Sequence, residues 1–192
     1  MKGLRDILIP GTDRVYFGVS AEIHKKLFNH GIEWVTGVDY THGLAVFWSE
    51  AAKDFVVTNS HGVGVQFDSL DQFIAGSIFK RLFEVKVTPE KRLSFITEAI
   101  RLDGTPYSKQ NIGGILLAKI LHAKFNPFAD KDKALFCSEY TCNLAKAIGL
   151  RTAYEILDIG RELVEPPHMV KAFEILSQTR PNVVEIQLPK DS

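Results

Sequence analysis

The sequence predicts an α+β domain. Candidate strands cluster in the middle of the chain, and helical patterns flank them on both sides. The chain is also long enough to close a core around both. It has 192 residues, 45% hydrophobic and 24% charged, the values of an ordinary globular protein. Read as a single domain over 1–192, it leaves residues 1–40 as an N-terminal extension. That extension could cover a site, complete the sheet or contact a partner.

In chain order, Ser20 to Asn29 reads as a first helix, capped by Ser20, with Ile23, Leu27 and Phe28 as its apolar stripe and Gly31 as its stop. His42 to Trp48 reads as a strand with apolar residues on both faces, which predicts burial on both sides. A polar turn, Ser49 to Asp54, leads to a second strand from Phe55 to Val65. Ser69-Leu70-Asp71-Gln72 fits a capping box opening a short helix. Phe79 to Val87 suits a strand. Thr88-Pro89 opens a helix with proline in its first turn and Leu93, Ile96, Ala99 and Ile100 at helical spacing. Asp103 to Ser108 breaks it. Ile112 to Ala123 is apolar and read as helical, and a loop runs from Asn126 to about Ala134. Phe136 to Ile148 is a helix stopped by Gly149. A short helix from His168 to Leu176 and a strand from Asn182 to Leu188 complete the chain.

Composition excludes several functions. Lys plus Arg and Asp plus Glu number 23 each, a formal net charge of zero, which argues against a nucleic-acid binder with a broad basic face. Two cysteines are too few for a disulfide scaffold or a four-cysteine zinc site. The N-terminal apolar stretch ends at Pro10-Gly11, too short for a signal peptide, and no apolar run approaches the ~20 residues of a membrane span. The expected location is cytoplasmic, without stable membrane insertion.

Cys137 opens the helix Cys137-Ser138-Glu139-Tyr140. Unpaired N–H groups and the partial positive charge at a helix start favour a thiolate, the nucleophilic form. Cys142 lies five residues on, roughly 8 Å away in a regular helix and too far for a disulfide. It reads as a packing residue. A cysteine nucleophile needs a base, usually histidine, and a group to orient that base. His24, His30, His122 and His168 read as surface or helix-end residues. His42 opens the two-sided apolar strand, where a polar ring needs a reason. Alternation places Asn59 and His61 on one face of the facing strand, and one residue of register decides whether Asn59, Ser60 or His61 meets the His42 ring.

In order, the chain shows Thr41-His42-Gly43, a polar strand end before Gly62-Val63-Gly64-Val65, then Gly104-Thr105-Pro106-Tyr107, then Phe136-Cys137-Ser138-Glu139. This order resembles the circularly permuted papain-like enzymes of the NlpC-type superfamily, the YiiX/YaeF-like group, over roughly residues 40 to 170. The resemblance implies a papain-like fold with histidine strand before cysteine helix, His42 as base and Cys137 as nucleophile. Its third position, usually Glu or another polar residue before the Gly-rich turn, falls on Asn59, with Ser60 and His61 as rivals. Ser108 stands where the group commonly has Asp.

The implied chemistry is a thiol hydrolase. Cys137 attacks an amide carbonyl, His42 carries the proton, and Asn59 orients the ring. The Cys137 N–H helps hold the oxyanion. Tyr107 is a second donor or a pocket wall, and Ser60 and His61 line the substrate site. No metal or cofactor is required. The expected substrate is a small peptide, an N-acyl compound or a lipid. An acyltransferase or lipid esterase on the same dyad is one alternative, and a non-catalytic binding or assembly module is another. A metal site from Cys137, His42 and His61 is a third, ranked lower because no short-spaced ligand pair is present.

Overall fold

The computed structural model describes residues 3–23, 38–108, 115, 126 and 134–189. Strands β1 (Arg14–Glu22), β2 (His42–Ser49), β3 (Asp54–His61), β4 (Gly64–Ser69), β5 (Ser77–Lys86) and β6 (Val183–Ile186) form one sheet. Its order is β4-β3-β2-β1-β5-β6, with every neighbouring pair antiparallel. The helices are α1 (Leu4–Ile7), α2 (Leu70–Gly76), α3 (Pro89–Leu102), α4 (Cys137–Ala147), α5 (Ala153–Leu157) and α6 (Pro166–Thr179). The architecture is α+β, as the sequence predicts.

Strand alternation divides the core in two. Phe17, Ala45, Phe47, Phe83 and Val85 point to one face, where Phe95 of α3, Tyr140 and Leu144 of α4 and Phe173 of α6 cover them. Tyr16, Leu44, Val46, Val57 and Leu82 point to the other, under Leu4 and Leu8 and the α2 residues Leu70 and Phe73. β2 is thus buried on both sides, as its apolar pattern predicts.

Several expectations need correction. Ser20 is not a helix cap but part of β1, where it pairs with His42, and its carbonyl accepts from the Thr41 N–H at 3.0 Å. The preceding run Val15-Tyr16-Phe17 suits a two-sided buried strand. The ladder continues through Ser20, because a paired backbone leaves a local cap nothing to satisfy. The rest of that expected helix, residues 24–29, lies outside the described residues. So do the 112–123 helix, save the buried Ile115, and most of the loop after Asn126. The expected strand Phe55 to Val65 is two strands. It breaks at Gly62-Val63, with Gly62 at φ 56° and Gly64 at φ 142°, a tight hairpin turn. In α3 the buried face is Phe95, Ala99 and Leu102, whereas Leu93 and Ile100 are exposed. The expected 168–176 helix starts earlier, because Pro166 and Pro167 occupy its first turn. The structure adds β1 and α5 to the elements the sequence predicts.

The Ser69 capping box holds: its Oγ accepts from the Gln72 N–H, and Gln72 Oε1 accepts from the Ser69 N–H at 3.1 Å. Among the described residues no helix is long and apolar enough to cross a membrane.

Candidate active site

Cys137 is the first residue of α4, behind the N-cap Phe136. Two contacts fix the approach to that helix. The Leu135 N–H donates to Pro106 O at 2.9 Å, and Ser60 Oγ donates to Leu135 O at 2.9 Å. Tyr107 forms a bridge with Leu135 and packs against Cys137 and Phe136. The Gly104-Thr105-Pro106-Tyr107 segment is in turn held against the β3–β4 hairpin, where the Val65 N–H donates to Thr105 O at 2.9 Å. The two strand motifs and the cysteine helix therefore meet at one end of the sheet.

Cys137 is buried, 2% exposed, with Sγ 3.8 Å from the carbonyl oxygen of Thr41. The next residue, His42, interacts with the thiol. The close approach of β2 to the helices depends on Gly43. A side chain there would meet Met169 Sδ at 2.8 Å and Thr141 Oγ1 at 3.2 Å.

The electrostatics of the pair agree in direction. Burial opposes charge on the His42 ring, but the Cys137 and Glu22 side chains outweigh it and push its pKa up to about 9. Burial likewise opposes ionisation of Cys137. His42, then the Gly43 N–H, outweigh that and hold the thiol below its ordinary value. Both shifts favour a thiolate–imidazolium pair. Cys142 contrasts with it: burial pushes that thiol up to about 12, and it packs among Ala153, Val164, Met169 and Ala172. Both cysteines are free thiols.

The carboxylate beside His42 is one the sequence reading missed. Glu22 Oε1 lies 3.3 Å from His42 Nε2. Glu22 reaches the ring because β1 pairs with β2 on the side away from β3, Ser20 opposite His42. Asn59 does not take this place. It stands opposite Leu44, and its Nδ2 donates to Asp68 Oδ2 at 3.2 Å. Continuing the register brings His42 opposite His61, whose ring meets it edge to face at 5.9 Å. Ser60 points to the helix side and braces Leu135.

Tyr107 belongs to the site. Burial, then the charges of Cys137 and Glu22, raise its phenol well above the ordinary value. The hydroxyl therefore stays protonated and able to donate. Of the other histidines, His24, His30 and His122 lie outside the described residues. His168 caps the start of α6, its Nδ1 accepting from the Glu165 N–H at 3.1 Å. Among the described residues no three His, Cys, Asp or Glu side chains are placed to hold a metal ion.

No family model matches the chain, and no curated protein matches it in sequence. Among solved structures it is similar to the metalloprotein yiiX from Escherichia coli O157:H7, at a TM-score of 0.58 and 16% identity. The match covers 94% of this chain and 99% of that one. At this identity the likeness is one of fold: the six-stranded antiparallel sheet and its helices are arranged like those of yiiX.

Proposed function

We propose that the protein is a permuted papain-like thiol hydrolase acting on an amide bond. The observation that supports this most is the pairing of Cys137, at a helix start, with His42, at the mouth of a buried strand. The shifts of both groups run toward the charged pair. The Cys137 thiolate adds to the carbonyl carbon, and the α4 N–H at Cys137 and the Tyr107 hydroxyl serve the oxyanion. The C–N bond breaks as the His42 imidazolium gives its proton to the leaving amine. Water then attacks the thioester with His42 as base, releasing the acid and restoring the thiol. Glu22 orients the ring and stabilises the imidazolium, the part the sequence reading gave to Asn59.

The solved neighbour is named a metalloprotein. The donor set here does not fit such a role: among the described residues no three candidate ligands converge, and no step is routed through a metal. A small peptide or N-acyl compound as substrate, and a cytoplasmic setting that keeps both thiols reduced, belong to the same proposal.

The test is alkylation by iodoacetamide at neutral pH, followed by peptide mapping. Cys137 is expected to label at least ten times faster than Cys142, as its depressed pKa requires. His42→Ala should abolish that preference. Equal, slow labelling of both thiols in the folded protein would sink the proposal.

A further inference from the structure

A cleft of about 310 Å³ opens beside the dyad, on the face of the sheet covered by α2. Glu22, His61, Gln66, Asp68, Gln72 and Phe73 line it. Its charge is one-sided. Two carboxylates face it, and no Lys or Arg lines it among the described residues. Asp68 Oδ2 accepts from Asn59 Nδ2 at 3.2 Å and Gln66 Nε2 at 3.1 Å, both uncharged donors. No cation among the described residues neutralises it. The remaining lining supplies the side-chain carbonyl of Gln66 and His61 Nδ1, which is buried with no hydrogen-bond partner; the Gln72 carbonyl already accepts from the Ser69 N–H and hydroxyl. Phe73 is a buried apolar wall.

Such a lining repels anions. It also lacks three converging ligands for a metal ion among the described residues. What it offers is one uncompensated carboxylate, the Gln66 carbonyl, an unpartnered ring nitrogen of His61 and an aromatic wall. A primary ammonium has three donors and no acceptor, and a short carbon stem would rest on Phe73.

We propose that this cleft binds a primary ammonium group. Glu22 lies in the cleft wall and also contacts His42, so a bound ammonium sits next to the dyad. On the thiol-hydrolase reading, on which this part rests, the preferred substrate carries a free amine close to the scissile amide, as the end of a peptide does.

The test is NMR titration of the full-length protein with n-butylammonium chloride and, separately, n-butanol. The ammonium is expected to saturate and to move the His61 and Gln72 side-chain resonances, with butanol weaker by about tenfold, the worth of one charge-assisted hydrogen bond. Asp68→Asn should weaken the ammonium by a similar factor, while Asp68→Glu, which keeps the charge, should retain most of it. The exposed Asp103→Asn should change nothing. Equal binding of butanol and butylammonium, or binding indifferent to Asp68→Asn in a folded variant, overturns the proposal. Cys137 alkylation is read separately, so failure of the cleft and failure of the dyad give different results.

Discussion

At the scale of single residues, two of the groups at the site were legible in sequence and one was not. Cys137 shows itself by a local rule, a thiol at a helix start. His42 shows itself by contrast with the apolar strand it opens. Glu22 has no local signature: a glutamate at the end of a strand is ordinary until the strand's neighbour is known. Its effect can be measured. The Glu22 carboxylate favours the protonated His42 ring, whose pKa is pushed up to about 9. Removing the charge should therefore lower the midpoint, since the imidazolium loses a stabilising partner. An NMR titration of the His42 ring should show a midpoint near 9 in the native protein, falling by on the order of one unit in Glu22→Gln. On the proposed mechanism the imidazolium is the proton donor, so loss of the charged pair with rising pH should follow the same midpoint. An unchanged midpoint in Glu22→Gln would remove Glu22 from the site.

At the scale of elements, the site depends on contacts between segments far apart in sequence. The β3–β4 hairpin holds residues 104–107, and these hold Leu135, which sets the start of α4. The pivot is Gly64. Its φ of 142° is one side chains rarely adopt, and a Cβ there would lie 2.3 Å from Thr105 O. Gly64→Ala is therefore expected to cost about 1–3 kcal/mol of stability and to slow Cys137 alkylation as the Tyr107 segment shifts. Gly62→Ala makes a control. No atom lies within 4 Å of a Cβ there, so it should cost about 1 kcal/mol for its left-handed backbone alone and leave alkylation intact. Urea denaturation with parallel labelling distinguishes the two. Equal labelling rates in both variants would show that the hairpin does not position the cysteine.

At the scale of the whole molecule, β1, which falls within the segment read as an N-terminal extension, is a central strand of the sheet. β1 lies between β2 and β5, and Phe17 is fully buried against Phe95 and Phe173, ring centroids 5.9 Å and 5.0 Å away. Phe17→Ala should cost about 3–5 kcal/mol in equilibrium unfolding, the usual loss for a buried phenylalanine. A peripheral strand would lose under about 1 kcal/mol, and that result would contradict the sheet order. β1 also carries Glu22 to His42, so the same strand supports both the core and the candidate site.

The α+β class, the two-sided burial of β2, the Ser69 cap and the helix start at Cys137 follow from local pattern, and the sequence by itself determined them. Each depends on periodicity or capping within a few residues. The break at Gly62-Val63, the buried face of α3, the place of β1 in the sheet and the approach of Glu22 to His42 were decided by tertiary structure. These depend on which strand lies beside which, and in what register. A one-residue slip in register exchanges the faces of a strand, and no local pattern fixes that choice for a strand apolar on both sides.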